Sequence, residues 1–502
     1  MSGSGFTEQA SPEGFAARVR IALAWRWGSQ LIAQLITWSA TIMVVRLLNP
    51  ADYGLFAMSQ VVVVALNFLN GWSFATSLVQ AERVGRREIG QVFALLLLMN
   101  GTLAAAQLLL APVAADYYGQ PAVAHLLRVQ ALIFITTPFI ALPASLLSRR
   151  LEFRSQGIAN LASAIVGAMA ALTLAWLGYG VWALVYAPIL AFATRGLIMT
   201  VAARLFVWPV FNFRGAGQLI GFGGALTLCQ LFWIIQSQSD IFIAGSRFTP
   251  SELGLYSEAL FLTLIVTGRF LPPINEVAFP AYAELHKAGH SMAPFFERTV
   301  RSVLLVTAPI YIGLALTAPE AIITLFGDKW AAMAPIVTGL CLVMPLLALQ
   351  IICSPTTNAT GHTRTYILTS ATGAVLFTAC FLAGVQFGPM GLVHAWWVAA
   401  PLLLLVTLVL TLPHVGMSAA RYLAACAPAV ISCAIMALAV IAVRTALPDW
   451  HPALRLIALT GTGVMAYSLA LIILWRDVVR DSWTLLRRTP ASPIDLPANE
   501  SV

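Results

Sequence analysis

Three arginines interrupt long apolar segments of this sequence, and charges there are costly. Arg26, Arg195 and Arg269 each lie within such a segment, and one charge inside a membrane helix costs about 2.5–3.5 kcal/mol on insertion scales. A guanidinium binds phosphate or carboxylate through paired hydrogen bonds. The arginines therefore indicate either an anion-binding cavity or ion pairs between helices. For Arg26 and Arg195, extension from a helix end to the membrane surface is a third interpretation.

Polar side chains accompany these charges in the first two apolar segments. In the first they recur every three or four positions and share one helical face; they are Arg26, Gln30, Gln34, Thr37 and Thr41. The second segment adds Gln60, Asn67 and Asn70. Such residues either line a hydrophilic cavity or hydrogen-bond to other helices. The candidate substrate-binding residues are Arg26, Gln30, Gln34, Gln60, Asn67, Arg195 and Arg269.

Acidic residues in two later segments are candidates for carrying a coupling ion, H⁺ or Na⁺. Glu258, Arg269 and Glu276 share a face of a regular helix, although Pro272-Pro273 is expected to kink it. The alternative is that these charges only hold the helices together by pairing.

A further acid, Asp240, lies near the C-terminal end of its apolar segment. Gln230, Ser237 and Asp240 follow one another at spacings of seven and three residues, which places them on one helical face. Asp240 is a third candidate for ion coupling, or it caps the helix or pairs with Arg247.

The composition excludes a soluble protein. Hydrophobic residues make up 60% of the 502 residues and charged residues only 10%, whereas a soluble domain carries about 25% charged residues. The apolar residues occur in about fourteen runs of roughly 20 residues, the length that crosses a hydrocarbon core as a helix. The sequence therefore predicts an all-α polytopic membrane protein with about 14 transmembrane helices.

Basic residues predict the orientation of these helices. With the N-terminus in the cytoplasm, nineteen of the 28 Lys and Arg residues fall on the cytoplasmic side and six on the opposite side, in agreement with the positive-inside rule. Both termini are therefore expected in the cytoplasm. No cleavable signal precedes the first helix, which is expected to act as its own insertion signal.

Two short motifs each occur twice. Residues 49–56 (NPADYGLF) and 249–256 (TPSELGLY) share the pattern x-P-x-[DE]-x-G-L-[FY], at an offset of 200 residues. Residues 118–121 (YGQP) and 326–329 (FGDK) form a weaker pair at an offset of 208. Pro presets a turn and the acid can cap the following helix, so the first motif is itself structural. Its value is that it indicates an internal duplication.

The duplication predicts the domain organisation. Two six-helix lobes with the same inside–outside sense are related by a pseudo-two-fold axis along the membrane normal. We expect an N-terminal lobe, a C-terminal lobe, two appended helices and a cytoplasmic tail, over residues 1–210, 211–413, 414–475 and 476–502. The start of the tail is expected to form an amphipathic helix at the interface.

Six short segments carry a resemblance to a known family. They are residues 46–54 (RLLNPADYG), 239–245 (SDIFIAG), 252–256 (ELGLY), 279–281 (FPA), 325–330 (LFGDKW) and 358–364 (NATGHTR). They are similar to the Wzx-type polysaccharide and oligosaccharide flippases of the multidrug/oligosaccharidyl-lipid/polysaccharide exporter superfamily, in particular colanic acid and xanthan-like exporters.

The resemblance implies a function and a place in the cell. It implies a bacterial inner-membrane protein with two lobes around a central cavity, working by alternating access. The cargo would be an undecaprenyl-pyrophosphate-linked oligosaccharide, moved from the cytoplasmic to the periplasmic leaflet for exopolysaccharide or O-antigen synthesis. Membrane lipids would be its other partners.

Two other functions compete with a flippase. A drug/cation antiporter of the same fold predicts an acidic, aromatic cavity, and the intramembrane arginines argue against it. A membrane polymerase or ligase needs catalytic side chains on sizeable outer loops, whereas the loops here are short and lack paired carboxylates. We therefore expect a protein that is not an enzyme and has no catalytic residues.

No cofactor, metal or nucleic acid is expected. The six cysteines lie within apolar segments without a CxxC pair, as small buried hydrophobes do. The net charge of +8 follows from basic loops that set topology, which removes the reason to invoke nucleic acid.

Overall fold

The structure is a computed structural model, and every regular element that it describes is a helix. The described residues are 12–70, 75, 78, 85–150, 152–205, 207–212, 217–361, 363–448, 450–477 and 480. The prediction of an all-α polytopic membrane protein is confirmed. The amphipathic helix predicted at the start of the tail lies largely outside the described residues.

Seventeen α-helices are defined within these ranges. They are α1 (Pro12–Leu47), α2 (Pro50–Asn67), α3 (Arg86–Tyr118), α4 (Pro121–Gln130), α5 (Leu132–Thr136), α6 (Pro138–Arg149), α7 (Phe153–Trp176), α8 (Val181–Ala202), α9 (Gly217–Gly245), α10 (Pro250–Lys287), α11 (Ala293–Phe326), α12 (Ala334–Ile351), α13 (Ser354–Ala359), α14 (Thr363–Gly384), α15 (Gly388–Val415), α16 (Ala419–Ala446) and α17 (Pro452–Leu474). Short 3₁₀ helices occupy Asp328–Met333 and Val385–Phe387.

Eleven helical stretches among the described residues are long and apolar enough to cross a membrane. One of them, Ile367–Val415, contains most of α14 and all of α15, which the sequence predicts as separate spans. The span predicted over residues 55–79 ends in a segment that is only partly described. The first half of α9 has no described side chains. The count of fourteen therefore stays a prediction.

The transmembrane span predicted over residues 124–147 is divided into three helices, α4, α5 and α6. The last break is at Thr137, directly before Pro138, which has no N–H for the helical hydrogen-bond ladder. The hydroxyls of Thr136 and Thr137 both donate to the carbonyl of Ile133. Pro138 leaves the carbonyl of Phe134 without its helical donor, and the backbone N–H of Thr137 donates to that carbonyl at 3.3 Å.

The chain separates into two compact units. Unit 1 comprises Met1–Glu258, Leu325–Ala332 and Gly373–Ala395, and unit 2 comprises Ala259–Thr324, Met333–Thr372 and Trp396–Val502. The predicted lobes, 1–210 and 211–413, follow the sequence duplication and stay a prediction.

Both repeats have local structural counterparts in unit 1. Gly119 and Gly327 follow the ends of α3 and α11 with φ of +62° and +94°, a conformation that glycine adopts without steric cost. In the stronger repeat, the backbone N–H of Asn49 donates to the Asp52 carboxylate, and that of Thr249 donates to Glu252 (both 3.0 Å). The predicted capping by the acids of the motif is confirmed.

The two copies of the stronger motif also contact each other. A Cβ atom added at Gly54 would overlap the carbonyl oxygen of Pro250, and one added at Gly254 would overlap that of Pro50. The first turns of α2 and α10 therefore touch backbone to backbone, and the contact is reciprocal. Such an approach requires glycine on both helices.

Unit 2 has its own apolar core and ion pairs. Its core includes the fully buried Tyr282 and Phe296, with Tyr422 stacked on Phe296. The ion pairs involve two acids: Glu297 pairs with Arg301 and Arg421, and Glu320 pairs with Arg444 and Arg455. These pairs lie near helix ends, and none includes a candidate residue of the sequence analysis.

Candidate functional site

Two of the segments that carry the family resemblance, residues 46–54 and 325–330, meet in unit 1. Arg46 Nε donates to the carbonyl of Leu325 at 2.7 Å, and Lys329 Nζ donates to that of Leu47 at 3.1 Å. The indole of Trp330 donates to Val45 O at 3.0 Å and packs edge-on against Tyr53. These segments therefore fasten the C-terminal end of α1 to the 3₁₀ helix at Asp328–Met333. Their role is structural, as the sequence indicated for the repeated motif.

The described polar side chains on one face of α1 are exposed or half-buried. Gln30 is exposed and Gln34 half-buried. Thr37 and Thr41 instead donate to carbonyls one turn earlier in their own helix, those of Ala33 and Thr37. The side chain of Arg26 lies outside the described residues. Neither glutamine forms a side-chain hydrogen bond with a described residue, whereas the threonines are satisfied within their own helix.

The two candidate residues on α2 differ in their burial. Gln60 is half-buried, and Asn67 is exposed at the end of the helix, where its side-chain oxygen accepts from Asn70 at 3.0 Å. The buried Asn100 of α3 donates to the carbonyl of Asn70 at 2.9 Å. Asn67 and Asn70 therefore take part in a contact that joins α2 to α3.

Two of the candidate arginines have no ion-pair partner among the described residues. Arg195 on α8, in unit 1, is half-buried, and its buried Nε has no hydrogen-bond partner in the described chain. Arg269 on α10, in unit 2, is exposed and forms neither an ion pair nor a hydrogen bond with any described residue. Cations without partners in membrane helices leave their binding capacity available.

Asp240 lies at the C-terminal end of α9 and is almost fully buried. Its carboxylate accepts hydrogen bonds from the Tyr256 hydroxyl at 2.9 Å and from the backbone N–H of Ile241 at 2.7 Å. Of the alternatives for Asp240, pairing with Arg247 is not observed among the described residues, because Tyr256 supplies the side-chain partner. A neutral hydroxyl satisfies a buried carboxylate without burying a second charge.

The acids of α10 fall in different environments. Glu258 is buried in unit 1, where it forms no ion pair or hydrogen bond with the described residues. Glu276 is exposed in unit 2. The prolines do not end the helix, since α10 continues through Pro272, Pro273 and Pro280. Whether the three charges of α10 act together stays a prediction.

A cavity of about 660 Å³ opens within unit 1, and none of the candidate residues with a described side chain lines it. Its wall combines α2, α3, α9 and the end of α14 with the 3₁₀ helix that follows. The polar and aromatic lining residues are Tyr117, Gln238, Ser239, Phe242, Ser246, Arg247, Thr378 and Gln386. These residues were not predicted from the sequence, because they come from four separate segments, each with only one or a few polar positions.

Part of the chain matches a known protein family. Residues 43–335 match the model of a family described as polysaccharide biosynthesis protein. This range includes both copies of the stronger motif and the segment 325–330.

Curated relatives align with more than half of the chain. Succinoglycan biosynthesis transport protein ExoT of Rhizobium meliloti (strain 1021) is 27% identical over 304 residues, which are 60% of this chain and 61% of that protein. Lipopolysaccharide biosynthesis protein WzxC of Escherichia coli (strain K12) is 20% identical over 304 residues, 59% and 61% of the two chains. The chain thus spans about three fifths of the length of these relatives.

Solved structures share the fold. The lipid II flippase MurJ in an inward closed conformation superimposes with a TM-score of 0.74 at 13% identity, over 90% of this chain and 99% of that one. An inward-facing multidrug resistance transporter of the MATE family gives 0.56 at 13% identity, over 78% and 96%. At such identities the likeness establishes the fold alone. The resemblance found in the six short segments is thereby confirmed at the level of family and fold.

Proposed function

Since the chain belongs to the polysaccharide biosynthesis protein family, we propose that it is a flippase for a lipid-linked oligosaccharide. The cargo is an oligosaccharide repeat unit carried on undecaprenyl pyrophosphate, and it moves from the cytoplasmic to the periplasmic leaflet of the bacterial inner membrane. A relative that the chain matches is named as a succinoglycan biosynthesis transport protein. The shared fold with a lipid II flippase supports transport of a lipid-borne glycan.

The physical problem in such transport is the headgroup. A pyrophosphate with attached sugars cannot enter hydrocarbon, because its hydration would be lost without replacement. Arginine side chains in a wet passage can replace that hydration with charge-assisted hydrogen bonds. The prenyl tail can remain in the lipid while two lobes rock about the headgroup.

The observation that carries this mechanism is the lack of partners for membrane arginines. Arg195 and Arg269 pair with no acid of the described chain, whereas four other arginines pair with Glu297 and Glu320. Cations that served only to hold the bundle together would be expected to have such partners. Unpaired cations therefore support binding of an anionic cargo, with Arg26, Gln30, Gln34, Gln60 and Asn67 as further cavity residues.

Ion coupling is assigned to the acidic residues, with Glu258 as the strongest candidate. Asp240 already accepts hydrogen bonds from Tyr256 and Ile241, while Glu258 is buried with no such bond in the described chain. A buried carboxyl without partners can take up and release H⁺ or Na⁺ during a transport cycle. Glu276 is the third acid in this proposal.

The decisive experiment is reconstitution of the full chain into vesicles with a labelled undecaprenyl-pyrophosphate-linked oligosaccharide. Translocation is measured as protection of the glycan from a membrane-impermeant reagent. Arg26→Ala and Arg269→Ala are each expected to lower the rate by about tenfold or more, since a hydrogen bond to a charged group contributes about 1.5–3 kcal/mol. Glu258→Gln is expected to remove stimulation by an imposed H⁺ or Na⁺ gradient.

Arg128→Ala is the matched control, because Arg128 is an exposed arginine on α4 in unit 1. It should translocate as the wild type does. Unchanged rates in both test variants would contradict the cationic passage. Transport of an organic cation in place of the glycan would instead favour the drug/cation antiporter.

A membrane polymerase or ligase is the remaining alternative, and a deletion strain separates it from a flippase. A flippase predicts that the lipid-linked oligosaccharide accumulates on the cytoplasmic leaflet while its synthesis continues. Normal translocation with loss of polymerisation would contradict the proposal.

A further inference from the structure

The cavity in unit 1 contains two buried hydroxyl groups that no described protein group satisfies. Ser239 is buried, at 7% exposure, and its Oγ has no hydrogen-bond partner in the described chain. The Oγ1 of Thr378, on α14, is likewise buried without a described partner. Both residues line the same cavity. A buried hydroxyl that lacks a partner is destabilising, so two of them at one wall point to a ligand that supplies the missing bonds.

The rest of the lining is suited to a sugar. Tyr117 and Phe242 are stacked, with ring centroids 4.6 Å apart and planes inclined by 12°, and both are partly exposed. The ring faces offer an apolar platform for the C–H face of a pyranose. Gln238 and Gln386 each bring an amide that can donate and accept. The cavity volume of about 660 Å³ lies within the usual range for small-molecule sites.

Among the described lining residues, Arg247 gives the cavity a positive charge. It is exposed in the loop after α9 and pairs with no acid in the described chain. No Asp or Glu is among the described residues that line the cavity. An arginine without a competing acid favours a carboxylate, to which it can donate two parallel hydrogen bonds.

We propose that this cavity is a saccharide-binding site for an acidic sugar residue of the transported glycan, separate from the membrane arginines that face its pyrophosphate. On the predicted orientation, Arg247, Tyr117 and Gln386 lie at the periplasmic ends of their helices. The site would then hold the sugar portion of the cargo at the outer end of its path. The proposal rests on the proposed function, because the glycan is its source of ligand.

Soluble sugars test the site without requiring transport. The full chain in lipid nanodiscs is titrated with methyl β-D-glucuronide, methyl β-D-glucoside and inorganic phosphate, and binding is followed by calorimetry and saturation-transfer NMR. We expect both glycosides to bind at one site, with the glucuronide roughly tenfold tighter, the gain given by one charge-assisted pair. Arg247→Gln should remove this preference and leave glucoside binding intact.

Thr378→Val tests the unsatisfied hydroxyl and has a close control. It should weaken both glycosides severalfold, since the valine keeps the shape but not the hydrogen bond. Thr411→Val also removes a buried hydroxyl that has no described partner, but in unit 2, and should leave binding unchanged.

Several outcomes would overturn the proposal. They are no saturable binding of either glycoside, a glucuronide preference that survives Arg247→Gln, and binding of phosphate that displaces the glucuronide while the glucoside does not bind. Translocation in vesicles separates this proposal from the one on which it rests. A wild-type protein that translocates the lipid-linked glycan but binds no glycoside would refute only the sugar site, whereas binding without translocation would refute the flippase.

Discussion

The arginines of this protein differ in whether they have an acidic partner among the described residues. Glu297 and Glu320 in unit 2 have arginine partners, and the ion pairs contribute to packing. Arg195, in a membrane helix of unit 1, has a buried Nε without a described partner. A cation retained for stability would be expected to have an ion-pair partner, and Arg195 has none among the described residues.

Substitution of Arg195 is therefore expected to separate stability from transport. Arg195→Met retains much of the side-chain length and removes a desolvated cation, so the melting temperature in detergent should be unchanged or higher. Translocation should fall by about tenfold or more, because the headgroup loses a charge-assisted bond. Thermal unfolding and the vesicle assay measure the two effects on the same preparation.

Arg444→Met is the control that should do the reverse. Arg444 lies 3.2 Å from the buried Glu320, and its loss should destabilise unit 2 by about 1–3 kcal/mol without a direct effect on cargo binding. A large loss of stability in Arg195→Met would show that Arg195 is a packing residue and would contradict its proposed role.

At the scale of the helix, the repeated motif explains why the sequence carries glycine at two positions 200 residues apart. The carboxylates of Asp52 and Glu252 accept from the backbone N–H groups of Asn49 and Thr249 at the starts of α2 and α10. Gly54 and Gly254 allow the first turns of the two helices to touch. The motif thus both starts a helix and allows its backbone contact with the other copy.

Alanine at either glycine is expected to prevent this contact. The added methyl group of Gly54→Ala or Gly254→Ala would meet a proline carbonyl of the opposite helix, and backbone cannot move aside as a flexible side chain can. Each variant should lose several degrees of melting temperature or fail to accumulate as folded protein. Size-exclusion profiles and thermal unfolding in detergent measure the outcome.

Gly101 provides the matched control. It lies within α3, and nothing is found within 4 Å of a Cβ atom added there. Gly101→Ala should be neutral or stabilise by up to about 1 kcal/mol, because alanine favours the helix. Equal behaviour of Gly54→Ala and Gly101→Ala would contradict the close contact.

At the scale of the whole molecule, the bias of basic residues predicts which loops face the cytoplasm. The start of α10 is predicted on the periplasmic side and its end on the cytoplasmic side. In a background without the six native cysteines, Ser251→Cys should react with a membrane-impermeant maleimide in intact cells. Ala288→Cys should react only after the membrane is opened. Both positions are exposed, so accessibility depends on the side of the membrane.

The opposite labelling pattern would reverse the orientation and with it the direction assigned to transport. Labelling of both positions in intact cells would contradict α10 as a single crossing.

The helices and the family could be predicted from the sequence alone. Each crossing must satisfy its own backbone hydrogen bonds in hydrocarbon, so a long apolar run specifies a helix without reference to its neighbours. The proline, acid and glycine of the repeated motif likewise act on their own turn, as the bond from Thr249 to Glu252 illustrates. The family could be recognised because each segment that carries the resemblance is a short continuous stretch of sequence.

Only the tertiary structure decided which polar groups have partners. The sequence placed Asp240 near Arg247, but the folded chain gives it Tyr256. Nothing in the sequence indicated a cavity in which Ser239 and Thr378 share a wall with Arg247. The partner of a side chain depends on how each helix is rotated and on what lies opposite, and that is set by packing among segments far apart in the chain.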